Sequence, residues 1–325
     1  MILQDNVNSK IWKDNIQNIF NDDDLIIIYK WIYDKSKLKW SVEINNNFEE
    51  FCKKNNIRIC REVCKGNVFM SDKISKFLCT LDDTYFINDK FLNTTDYLRY
   101  TTHRKINLDL FKNKKIFGKI AAMKQKNFIS FPVGIYDRIY SQDNDWNTVE
   151  MTPKQVLEKY RLRTQKPIKN LIFDNYLQKE KKIINYVYFL QTISPLYKHK
   201  HPLYYDICSL SSHSSLITHT LDQENHWNNL NSHLFNLCLS WNTIESPRLW
   251  ESLYFGCIPI VLDIYEKHDF IEKNYSDLPI LHITNINNLF SEEFLINKYK
   301  LIMSNVKKCN FNKLRLSYWK NILLE

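Results

Sequence analysis

Short apolar runs bounded by polar clusters recur along the chain, at residues 25–29, 57–60, 128–135, 171–173, 234–239, 258–262 and 280–283. Each has the length and flanks of a buried strand. Between some of them apolar residues return at helical spacing, over 179–193, 247–255 and 292–306. Buried strands alternating with helices predict an α/β fold built on parallel sheets. A further helix opens at Met151-Thr152-Pro153-Lys154, where Thr152 caps and Pro153 fits the first turn, and runs to about residue 162. Arg163-Thr164-Gln165-Lys166-Pro167 then reads as an exposed linker. The expected division is therefore an N-terminal α/β domain, 1–165, and a C-terminal α/β domain, 166–325. Two domains also agree with 325 residues at about 150 per domain.

Composition narrows the chemistry mainly through what is scarce. Glycine occurs four times, at Gly66, Gly118, Gly134 and Gly256. That spacing permits no Walker loop, no GxGxxG turn and no GxSxG elbow. The nine histidines form no HExxH and the eight cysteines no CxxC. Asparagine is abundant, with 36 copies, which reads as coding bias and blurs composition as a functional signal.

The net charge is +9, divided as +5 over residues 1–160 and +4 over 161–325. An excess spread so evenly argues against a nucleic-acid arm or a polybasic membrane patch. It still favours the approach of an anionic small molecule. The opening MILQDNVNSKIW has no apolar core of signal-peptide type, and no apolar run approaches the roughly 20 residues of a membrane span. Several cysteines sit within apolar runs, as in Leu237-Cys238-Leu239, and read as reduced buried thiols of a cytoplasmic protein. Cys60 and Cys64 are an alternative metal pair, but no second pair or nearby His accompanies them.

The segment with most chemical content runs from His233 to Asp263 and reads as strand, polar loop, helix, tight turn, strand. Ser246 is a suitable N-cap, Pro247 a suitable first residue, and Gly256 a suitable left-handed terminator. Pro259, which has no N–H, belongs at the start of the following strand. In such a unit ligands bind beyond the carboxyl ends of the strands, where helix N-termini favour anions. Arg248, Glu251 and Ser252 share one helix face by their spacing. Two readings follow. The cation and free amides suit a diphosphate and the carboxylate suits ribose hydroxyls, or Arg248 and Glu251 form a surface ion pair of a few tenths of a kcal/mol.

Ile244-Glu245-Ser246-Pro247-Arg248, then Trp250-Glu251-Ser252-Leu253 and Gly256-Cys257-Ile258-Pro259-Ile260-Val261, resembles the signature of exostosin-like glycosyltransferases. Asp277-Leu278-Pro279-Ile280-Leu281 and Leu316-Ser317-Tyr318-Trp319 are similar to the family's downstream strand and closing helix. Upstream, Phe131-Pro132-Val133-Gly134-Ile135 and Leu171-Ile172-Phe173-Asp174-Asn175 are similar to two further elements. The likeness is good over 230–320, thin over 125–230 and absent before 125.

The resemblance implies a GT-B fold, two Rossmann-like domains facing a cleft, with the nucleotide-sugar held mainly by the C-terminal one. It implies an inverting transfer from a nucleotide-diphosphate sugar to a glycan or glycoconjugate acceptor, with the nucleotide-sugar a co-substrate and no cofactor. Donor contacts would come from Asn175, Glu245, Ser246, Arg248, Glu251 and Ser252. Trp241-Asn242-Thr243-Ile244 lacks the glycine that family members often carry before the triplet, although Asn242 tolerates the left-handed region. That departure leaves open a non-catalytic relative that binds nucleotide or carbohydrate.

Transfer also needs a base from the N-terminal domain. Asp83 is the chosen candidate, beside Asp82, with His103 and Asp137 as others and a solvated turn as the alternative reading of each aspartate. Asp22-Asp23-Asp24 precedes an apolar run and Asp143-Asn144-Asp145 follows a polar one, so neither sits where a metal-binding DxD belongs. His199-Lys200-His201 reads as a solvated loop. No metal is expected.

Overall fold

The structure is a computed structural model that describes residues 6–34, 39–60, 76–79, 113–118, 128–135, 138–140, 148–150, 187–190, 217–220, 230, 233–238, 247–262 and 274–325. The chain opens with α1 (Asn6–Asn21), whose Trp12, Ile16, Ile19 and Phe20 form one buried stripe at helical spacing. It ends where Asp23 takes a left-handed φ of 53°. β1 (Tyr29–Asp34) and β2 (Lys39–Ile44) follow as an antiparallel hairpin. Next comes α2 (Asn46–Lys54), capped by Asn45, whose side chain accepts from the Asn47 N–H.

β3 (Ile57–Cys60), β4 (Lys76–Cys79), β5 (Lys115–Gly118) and β6 (Phe128–Ser130) form an all-parallel sheet in sequence order. β7 (Arg138–Tyr140) and β8 (Thr148–Glu150) make an antiparallel pair. A second all-parallel sheet contains β9 (Val187–Leu190), β10 (Ile217–Thr220), β11 (Phe235–Leu237), β12 (Ile258–Leu262) and β13 (Leu281–Ile283) in the order β10-β9-β11-β12-β13. The expected α/β fold with parallel sheets is therefore present, one such sheet in each half of the chain.

In the second sheet the chain steps outward from β9 to β10, then crosses back to β11. β9 and β11 thus flank a topological switch point among the described strands. α3 (Pro247–Tyr254) joins β11 to β12, and α4 (Glu292–Ser304) follows β13. They cover opposite faces. Phe235 meets Tyr299 of α4 edge-on, with ring centroids 6.2 Å apart, whereas its neighbour Asn236 reaches Ser252 of α3. Pro259 fits inside this sheet for a geometric reason. Ile258 N–H donates to Leu234 O, so position 259 points toward β13, whose pairing begins only at Ile260.

The last helix, α5 (Leu316–Leu324), returns to the first half of the chain. Trp319 meets Phe131 edge-on at 5.9 Å, Lys320 lies over the Phe51 ring at 5.1 Å, and Lys76 Nζ donates to Leu323 O at 2.9 Å. The start of α5 is held by the turn after α1. Asp24 accepts from the Ser317 N–H at 2.8 Å and from the Ser317 hydroxyl, and Arg315 bonds Asp22 at 2.6 Å. Asp24 therefore acts as a remote cap for α5, and Asp22 pairs with the Arg315 that precedes it. Asp24→Ala is expected to cost about 1–2 kcal/mol of stability, read as a lower urea midpoint with an unchanged slope.

Three expected elements differ. Residues 25–28 are buried but are not a strand: their backbone groups bond to Tyr254, Ile135 and Asn45 instead of to a ladder. The expected helix over 179–193 is contradicted at 187–190, which are β9. Val187, Tyr188 and Phe189 are strong strand formers, and pairing with both β10 and β11 overrides the local helical spacing. The apolar run 128–135 is a strand only to Ser130, after which it continues as buried extended chain. The expected strand at 171–173, the helix over 153–162 and the linker at 163–167 lie outside the described residues.

Candidate functional site

The β11–α3–β12 unit forms as its local signals direct. α3 spans Pro247–Tyr254, and Gly256 follows it with φ 71°. Cys257 N–H donates to Ser252 O and Gly256 N–H to Leu253 O, the paired bonds of a Schellman ending. Pro247 gives up no useful donor at its first-turn position. The helix therefore starts at the carboxyl-end side of β11, beside the switch point, with the positive end of its dipole there.

Arg248, Glu251 and Ser252 are brought together on this helix. Arg248 is half-buried in the first turn, Glu251 is 6% exposed and Ser252 is fully buried. A surface ion pair does not describe a carboxylate buried to that degree. Burial raises the pKa of Cys238, which follows β11; the Ser252 hydrogen bond and then the Arg248 charge oppose that rise, and the Glu251 charge adds to it. The two side chains thus lie within electrostatic reach of the carboxyl end of the central strand.

Ser252 does not face solvent. Its hydroxyl donates to Arg248 O at 2.6 Å and accepts from Asn236 Nδ2 at 2.7 Å. Asn236 is itself fully buried in β11, and its Oδ1 has no hydrogen-bond partner among the described residues. An unsatisfied buried acceptor costs about 1–3 kcal/mol, so this amide is not neutral filling. Sequence reasoning passed over Asn236. The available signal was a lone polar residue inside Leu234-Phe235-Asn236-Leu237-Cys238, pointing to the face opposite Phe235 and Leu237.

Asp83, Asn175, Glu245 and Ser246 lie outside the described residues. So do His103, Asp137, Asp143-Asn144-Asp145 and His199-Lys200-His201. Cys52, Cys238 and Cys257 are free and buried, and Cys309 is free and half-buried. Burial raises the Cys52 and Cys238 thiols to about 12 and Cys309 to about 11. At pH 8 the native thiolate fraction at Cys238 is then about a thousandfold below that of an unfolded thiol. Iodoacetamide labelling followed by mass mapping should show Cys238 and Cys52 protected until denaturant is added. Because these folded pKa values lie above the unfolded ones, the associated stability is complete below about pH 9 and is lost as pH rises toward 12.

Among the described residues no helix is long and apolar enough to cross a membrane. The chain matches no protein-family model and no curated protein.

Proposed function

We propose that the protein is a glycosyltransferase of GT-B type, with two Rossmann-like domains, 1–165 and 166–325, facing a cleft. It transfers a sugar from a nucleotide-diphosphate donor to a glycan or glycoconjugate acceptor, with inversion and without a metal, in the cytoplasm. The observation that carries this reading is the β11–α3–β12 unit: a helix N-terminus beside a switch point, with Arg248 in its first turn and a buried Glu251 on the next.

The roles follow from charge. The sugar–phosphate bond breaks as negative charge grows on the leaving diphosphate. Arg248 and the amides around Ser246 stabilise that charge without reorganising. Glu251 accepts from ribose hydroxyls, while Glu245 and Asn175 complete the donor contacts. Asp83 takes the proton from the acceptor hydroxyl as it attacks the anomeric carbon.

The test is a panel of UDP-, GDP- and CMP-sugars assayed for nucleotide release with and without glycan acceptors. Transfer to any acceptor supports the reading. The second reading, a non-catalytic binding relative, is favoured by the glycine-free loop Trp241-Asn242-Thr243-Ile244. It predicts nucleotide binding with no turnover of any donor.

A further inference from the structure

A polar side chain in the middle of a parallel sheet needs a reason, because an apolar residue of similar size would satisfy the packing there without desolvating an amide. Asn236 lies on β11, paired on both sides by β9 and β12, and is fully buried. Its short hydrogen bond leads to the helix above: Asn236 Nδ2 donates to Ser252 Oγ at 2.7 Å, and Ser252 Oγ donates to the Arg248 carbonyl at 2.6 Å. Cys238, on the same face of the strand, also lies 3.7 Å from Ser252 Oγ. The relay therefore begins on the central strand of the sheet and ends on the backbone of the residue assigned to the diphosphate.

The far end of α3 is held by polar contacts of its own: Trp12 Nε1 donates to Leu253 O at 3.1 Å, and the Tyr254 hydroxyl accepts from the Ile26 N–H and donates to Leu314 O. The Asn236–Ser252 bond ties the ligand end of the same helix to the strand beneath it. A shift of that end would carry Arg248 and Glu251 away from a ligand at the carboxyl end of β11 while leaving the far end in place.

We propose that Asn236 is a positioning residue, which through Ser252 ties the ligand end of α3 to β11 and so places Arg248 and Glu251 for a nucleoside diphosphate. This rests on the donor-site reading given above. It assigns Ser252 a structural link within the site in place of a ligand contact, and it makes the pair act as one unit.

The experiment compares wild type, Asn236→Ala, Ser252→Ala, the double variant and Arg248→Ala by calorimetric titration with UDP, GDP and CMP, with thermal unfolding of each. The expected result is a loss of roughly tenfold or more in affinity for each single variant, with the double variant no weaker than either single one. Asn236→Leu, which fills the site without an amide, should keep or raise the melting temperature and still bind weakly. That separation of affinity from stability is what a purely structural role would not give. Should either alanine variant fail to fold, the leucine variant decides the matter by the same affinity comparison. Affinities within twofold of wild type in folded Asn236 and Ser252 variants, alongside lost binding in Arg248→Ala, overturn the positioning role and leave the donor site standing. Wild type that binds none of the three nucleotides removes the donor-site reading and this inference together.

Discussion

Gly134→Ala should lower stability by about 4 kcal/mol, combining strain at a left-handed φ with overpacking. Gly134 has φ +66°, and a Cβ built there falls 2.2 Å from the Ile26 carbonyl oxygen and 2.5 Å from Ile26 Cγ2. Ile26 is poorly placed to yield. Its carbonyl accepts from the Ile135 N–H at 2.9 Å, and its own N–H donates to the Tyr254 hydroxyl at 3.1 Å. That hydroxyl in turn donates to Leu314 O at 2.7 Å, and Tyr254 is fully buried in α3. The collision would therefore be passed from the 128–135 segment through 25–28 into the helix of the candidate site. An apparent melting temperature lower by roughly 6 °C is expected for a chain of 325 residues. Trimming the neighbour in an Ile26→Ala/Gly134→Ala double variant should not rescue it, because the nearest obstacle is backbone oxygen. Full rescue would show that side-chain crowding at Ile26 was the whole cause.

Arg248→Ala is expected to reduce donor turnover by about a thousandfold, the scale on which a lost charge-stabilising donor acts in a dry site. Its melting temperature should stay near that of wild type, since Arg248 is half-buried at a helix start and its removal opens no core. Arg248→Lys keeps the charge but loses the planar fork, so it should recover only part of the rate. Turnover at the wild-type level in Arg248→Ala would remove this residue from the chemistry.

The parts of the fold legible in the sequence are those with punctuation beside them. The helix at 247–254 is announced by Ser246 and Pro247 and closed by Gly256, and the strand at 258–262 is bounded by that glycine and begins with a tolerated proline. Arg248, Glu251 and Ser252 followed directly, because spacing on one short helix fixes their mutual placement. Other parts depended on distant partners. Residues 25–28 are as apolar as a strand, yet Tyr254 and Ile135, far along the chain, take their hydrogen bonds. The segment 187–190 has helical spacing that only its two sheet neighbours override. Within the described residues, α1 was legible in principle from Trp12, Ile16, Ile19 and Phe20, but its many asparagines and lysines obscured the stripe. The direction of Ser252, inward to Asn236, is settled by the sheet beneath the helix, which periodicity does not show.

The donor-site reading requires the start of α3 to bind a nucleoside diphosphate. It is tested most directly by thermal unfolding with UDP, GDP and CMP, and their sugars, on wild type and Arg248→Ala together. At a hundredfold excess over Kd a one-site ligand stabilises the native state by about 2.7 kcal/mol. Such a shift is expected from UDP or GDP and its sugars in wild type, with its loss in Arg248→Ala. An equal shift in both proteins, or none from any nucleotide, would contradict it.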